Sequence, residues 1–173
     1  MKLILRLLFP ILLASLALQP QATACEMDPQ VQAMLDSMHQ IRWVQWIRSL
    51  SGDQKVTTDF GEGRILTRSS FVLFEPDQVP SAFQYLQDEL EDMGYKPGED
   101  FIIHTYDFPF EDRYPERNWK NLILTFPGSD PTLVEQRVLM VAHLDSTSDQ
   151  ESSLAPGADD NASGAAGLLE AAS

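Results

Sequence analysis

Two short clusters near the end of this 173-residue chain carry the residue types that hold metal ions. The first is His143-Leu144-Asp145-Ser146, and the second is Ala155-Pro156-Gly157-Ala158-Asp159-Asp160-Asn161-Ala162-Ser163-Gly164. A His and an Asp two positions apart at the end of a strand point to the same side. The carboxylate then takes one imidazole N–H and decides which ring nitrogen is left for a metal. An aspartate at a loop-to-helix junction offers two oxygens and can bridge two cations. Each cluster alone has a plainer explanation: a His-x-Asp closes a turn, and Asp159-Asp160-Asn161 caps a helix and complements its dipole. Their order argues for chemistry: apolar run, His-x-Asp, short loop, acidic cluster, small-residue helix, with His143 and Asp160 17 positions apart.

The elements that must position these clusters follow from periodicity. Arg137 to Ala142 is a near-continuous apolar run and predicts a strand buried on both faces, ending at His143. Ala162 to Ala172, rich in Ala and Gly, predicts a helix that approaches a sheet closely. Upstream, Asp28-Pro29 is a helix start, and Val31, Met34, Leu35, Met38, Ile41, Val44, Ile47 and Leu50 recur at helical spacing until Gly52. Trp43 and Trp46 flank that stripe as packing groups. Residues 53 to 80 are ambiguous: Ile65-Leu66-Thr67-Arg68-Ser69-Ser70 reads as an extended substrate-side loop or as a surface turn. Pro80-Ser81 opens a second helix with Phe83, Leu86, Leu90 and Met93 on one side, ended by Gly94. Phe101 to Tyr106 and Asn121 to Phe126 read as strands, separated by a loop rich in charge and aromatics, and Pro127 to Pro131 as a turn. Helices before and after doubly buried strands predict a three-layer α/β domain, an architecture that gathers ligands at the carboxyl ends of its strands.

The N-terminus reads as an export signal. Lys2 and Arg6 precede an apolar run from Leu7 to Leu18, Gln19-Pro20-Gln21 interrupts it, and Ala22-Thr23-Ala24 supplies the small residues of a cleavage site. This divides the chain into a signal peptide, residues 1–24, and a domain, residues 25–173, that is secreted or periplasmic. Acylation of Cys25, anchoring a lipoprotein, is the alternative. Cys25 is the only cysteine, so no disulfide closes within the chain. The 26 acidic against 12 basic residues give a net charge of −14. Nucleic acid and anionic membrane surfaces reward Lys/Arg patches, so this balance argues against both as partners.

The segment Val138-Leu139-Met140-Val141-Ala142-His143-Leu144-Asp145-Ser146, with the Ala155–Gly164 cluster, resembles the secreted bacterial leucyl aminopeptidases. More broadly it is similar to their di-zinc peptidase superfamily, with Q-type carboxypeptidases and glutaminyl cyclases. Ser49-Leu50-Ser51-Gly52, Thr67-Arg68, Met93-Gly94-Tyr95 and Asn121-Leu122-Ile123 fit the same pattern. The resemblance implies a three-layer sandwich around a mixed, mostly parallel sheet and a site of two Zn2+. His143 would be a terminal zinc ligand, Asp160 the bridging ligand, and Asp145 the carboxylate that orients His143. A cis peptide bond would follow Asp160. The implied activity is hydrolysis of N-terminal residues from peptides with a free α-amino group. The family's Glu-Glu pair, further carboxylate and late histidine have no matching positions, and His39 and His104 do not stand in for them. The chain is therefore expected to be the N-terminal part of such an enzyme, inactive alone. A carboxypeptidase or cyclase of the same superfamily, or a non-catalytic binding module on the same scaffold, are the competing expectations.

Overall fold

The computed structural model describes residues 27–70, 80–106 and 119–173. The expected signal peptide (residues 1–24), Cys25 and the charged, aromatic loop between the two strands fall outside the described residues. The chain divides into two compact units, Met1–Ser37 and Met38–Ser173.

In the first unit the described element is helix α1, Pro29–Ser37. The Asp28 carboxylate accepts from the Gln30 backbone N–H at 2.7 Å, the cap expected of an Asp before Pro29. None of its residues is buried.

The second unit opens with helix α2, Gln40–Leu50. The apolar stripe from Val31 to Leu50 predicts one helix, and the structure makes two. His39 is extended, at φ −115° and ψ 101°. Its backbone N–H donates to a Glu170 carboxylate oxygen at 2.5 Å, a partner far away in sequence that replaces an intrahelical one. Helix α2 buries Trp46, Ser49 and Leu50 and ends at Ser51, with Gly52 at φ 70°. A Cβ on Gly52 would run into the Ile65 carbonyl, so glycine is required there both by φ and by space.

The short strands β1, Val56–Thr58, and β2, Gly61–Gly63, pair antiparallel. Helix α3, Ala82–Asp92, starts where Ser81 Oγ accepts from the Gln84 N–H at 3.2 Å and turns off at Gly94, φ 97°. Strands β3, Phe101–Tyr106, and β4, Trp119–Leu124, also pair antiparallel, with Phe101 opposite Leu124 and Tyr106 opposite Trp119. The last helix, α4, spans Ser163–Ala172. One core joins these pieces: Trp46 and Leu50 from α2, Val56, Ile65, Phe83, Tyr85 and Leu90 from α3 and its surroundings, Phe101 from β3, and Ala165, Ala166 and Leu169 from α4. The alanines let α4 come close enough to α2 for Trp43 Nε1 to donate to the Ser163 carbonyl at 3.1 Å.

The apolar run before His143 is the main departure from the sequence reading. Residues 137–142 form no strand, and Val138, Leu139, Met140 and Val141 are 95%, 80%, 65% and 78% exposed. A strand exists only through hydrogen bonds to a neighbour, and among the described residues none lies alongside this segment. The described strands form two separate antiparallel pairs, not one sheet, so the three-layer sandwich rests on the sequence resemblance.

Candidate metal centre

A segment with no regular element delivers His143 and Asp145, and a kinked turn, Ala158–Ala162, in which Asp160 is itself non-helical at φ −115° and ψ 93°, delivers Asp160 just ahead of α4. His143 Nε2 lies 3.0 Å from Asp160 Oδ1. On the other edge of the ring, Nδ1 lies 3.0 Å from the Asp145 backbone carbonyl and 3.3 Å from its carboxylate. The three residues chosen from sequence therefore meet through one imidazole. The Asp160–Asn161 peptide bond is cis.

Nδ1 thus faces two Asp145 oxygens and Nε2 faces one carboxylate oxygen of Asp160, and each of these contacts needs a proton or a metal ion between its atoms. Zinc bonds of about 2.0–2.1 Å to both atoms at a tetrahedral angle would set them roughly 3.3 Å apart, close to the spacing present. Asp145 sits on the edge of the ring away from Asp160. All three side chains are more than half exposed, so a metal and a substrate can reach them from solvent.

The neighbouring polar groups have local duties. Asn161 Oδ1 accepts from the Gly164 N–H at 3.0 Å and caps α4. Ser163 Oγ donates to the Asp159 carbonyl at 2.7 Å. Asp159, the second carboxylate in the cluster, has an exposed side chain. His104 stacks on Tyr106 within β3, and His39 opens α2.

The residue that sequence reasoning left unassigned is Arg68. It is fully buried, and Thr67 and Ser69 beside it are buried as well, so residues 65–70 are not a surface turn, although Leu66 stays half exposed. The guanidinium donates to four backbone carbonyls. Nε reaches Leu144 at 2.8 Å, Nη1 reaches Leu50 at 2.6 Å and also Pro156, and Nη2 reaches Gly157 at 2.8 Å. Leu144 stands between His143 and Asp145, and Pro156 and Gly157 lead into Asp160. Backbone bonds run in parallel: Ser146 N–H to the Arg68 carbonyl at 3.0 Å and Ala155 N–H to the Leu66 carbonyl at 2.9 Å. Ser146 Oγ donates to the Ala155 carbonyl at 2.5 Å, joining the two metal-motif loops directly. Burial pushes the Arg68 pKa down to about 10, while the charges of Asp145 and Asp160 pull it back up. It is still a cation at neutral pH.

Gly157 makes this arrangement possible. Its φ is +47°, and a Cβ there would sit 2.5 Å from the Asp160 carbonyl oxygen, 2.6 Å from Ser146 Cβ and 3.0 Å from Arg68 Nη2. Glu170, the one ionisable side chain after Asp160, is committed elsewhere: both its oxygens accept from Arg42, at 2.6 and 2.8 Å, and one also from the His39 N–H. These bonds, the Arg42 one above all, hold its pKa below the ordinary 4.5 against the opposing effect of burial.

His143 and Asp160 suit zinc chemically, as an imidazole nitrogen and a carboxylate oxygen. Two donors are fewer than the three or more protein ligands a zinc site takes, and among the described residues no group of three or more His, Cys, Asp or Glu side chains is arranged to hold a metal ion.

Residues 121–173 match the family model described as Peptidase family M28. The match spans most of β4, His143, Asp145, Asp160 and all of α4. No curated protein and no solved structure matches the chain.

Proposed function

We propose that this chain carries part of the metal site of an exported zinc aminopeptidase, an enzyme that removes N-terminal residues from peptides. The observation that carries the reading is the His143–Asp160 contact at 3.0 Å with Asp145 on the ring's other nitrogen, inside the stretch that matches a peptidase family. In this reading His143 is a terminal ligand and Asp160 the bridging ligand of two Zn2+. The complete domain is a three-layer sandwich in which residues 137–142 become a strand. Residues 1–24 direct export, with Cys25 as a lipid anchor in the alternative.

The metal pair, when bound, supplies a polarised carbonyl and a water activated near neutral pH. This chain's own residues do the positioning. Asp145 keeps the proton on Nδ1 and so leaves Nε2 free for metal. Asp160 offers a second oxygen beyond the one facing His143. No group among the described residues is placed to take a proton from water, so the reading expects no turnover from these 173 residues alone.

The test has two arms. Zinc binding by the 173-residue chain should weaken at least tenfold in His143→Ala and in Asp160→Asn, measured by competition with a chromogenic chelator. Equal affinity in all three would remove the metal reading and favour a binding module that uses the scaffold alone. Release of leucine from an N-terminal leucyl amide, of a C-terminal residue from a blocked dipeptide, and of ammonia from an N-terminal glutaminyl peptide should all be absent. Zinc-dependent turnover that His143→Ala abolishes would show a working site and identify which of the three reactions it performs.

A further inference from the structure

We propose that Arg68 is the positioning residue of the metal centre, setting the separation of His143 and Asp160 and hence the affinity for zinc, without touching the metal. The inference rests on the metal reading above.

The loop bearing His143 and Asp145 and the loop bearing Asp160 are not joined by sheet hydrogen bonds near the site. Besides the Ser146 Oγ bond to the Ala155 carbonyl, what spans them is the Arg68 fork. Nε holds the Leu144 carbonyl, which fixes the backbone between His143 and Asp145. Nη1 and Nη2 hold the carbonyls of Pro156 and Gly157, three to four residues before Asp160. The remaining contact, Nη1 to Leu50, ties the fork to the end of α2 and thus to the core. A planar group with five donors in fixed directions transmits the position of one carbonyl to the others. Lysine, with a single ammonium, keeps the charge and cannot hold three segments in register.

Two further observations agree. The Arg68 backbone accepts from the Ser146 N–H, so main chain and side chain of one residue both grip the His143 loop. The Ala155 N–H donates to the Leu66 carbonyl at 2.9 Å, so the same segment also grips the loop that leads to Asp160. A buried arginine serving only as a packing element would need its donors satisfied, but not by carbonyls from both of the loops that carry the proposed ligands.

The experiment compares zinc affinity of the 173-residue chain as wild type, Arg68→Lys, Arg68→Met and Glu170→Gln, counting only the component that His143→Ala removes. Glu170→Gln breaks a different arginine contact, Arg42 to α4, and controls for loss of stability alone. Partners of metal ligands commonly move affinity 10–100-fold. The expected result is a loss in that range for both Arg68 variants and less than threefold for Glu170→Gln. Folded Arg68→Lys with affinity within threefold of wild type would overturn the proposal. If neither Arg68 variant folds, the unmutated chain decides through its arginine side-chain nitrogen spectrum. Zinc should shift the Arg68 Nε signal and leave those of Arg48 and Arg64 in place, and an Arg68 signal unmoved at saturating zinc would equally overturn it. If wild type shows no His143-dependent zinc binding, the metal reading itself fails, a result distinct from either of these.

Discussion

Glycine 157 shows how much of the candidate centre depends on single residues. Its left-handed φ and the atoms crowding the place of a Cβ leave no room for a side chain. Gly157→Ala must therefore move either the Asp160 backbone or Ser146. We expect a loss of about 1–3 kcal/mol in urea unfolding and zinc affinity reduced at least as much as by Asp160→Asn. Unchanged stability would mean that the turn accepts alanine without shifting. His143, Asp145 and Asp160 could be picked out from sequence because side-chain chemistry at a fixed spacing is itself the signal. Arg68 could not, because all its partners are backbone carbonyls, and a carbonyl leaves no trace in residue type.

At the scale of elements, signals within one helix or strand were legible and signals across the chain were not. Helix α3 begins at the Ser81 cap and β3 spans Phe101–Tyr106, as local pattern predicts. The interruption at His39 depends on Glu170, 131 positions away, and no local pattern announces it. That contact also makes a prediction about pH. The Glu170 pKa is lowered on folding, so its contribution is present above the ordinary value of 4.5 and is lost as pH falls through the folded value. Glu170→Gln should therefore be less stable than wild type at pH 7, by about 1–3 kcal/mol since Arg42 retains partial access to water. The difference should shrink steadily below pH 4.5. Denaturant midpoints of the two proteins at pH 7, 4.5 and 3 check this, and a gap that persists at pH 3 would assign the effect to packing instead of charge.

For the molecule as a whole, the exposed run Val138–Val141 sets against a strong surface charge. Four consecutive apolar side chains, exposed and in no strand among the described residues, invite another chain. The net charge of −14 opposes such contacts at low salt. Self-association should therefore rise with ionic strength. Leu139→Lys with Val141→Lys, which place two charges on one face of the run, should suppress it. Light scattering at 20 and 500 mM salt measures both effects, and association that is insensitive to salt and to these substitutions would place the sticky surface elsewhere. The identity of this run as a strand was predicted from hydropathy, which reports what a segment wants to bury and not whether a neighbour is there to bury it.

The reach of Arg68 has a kinetic meaning. Its guanidinium meets Leu144, Pro156 and Gly157, which lie 76, 88 and 89 positions away in sequence. Closing loops of that length carries an entropic penalty that accumulates before any bond is gained. The metal-binding loops therefore cannot form early as an independent hairpin and must wait for the core around Leu50 and Ile65. Once formed, they should open only when the core opens. Amide hydrogen exchange can show this directly: the Ser146 and Ala155 N–H groups, each bonded to the 66–68 segment, should exchange as slowly as the Leu50 amide, although both lie in loops. Fast exchange at those two amides would mean that the centre breathes apart from the fold that carries it.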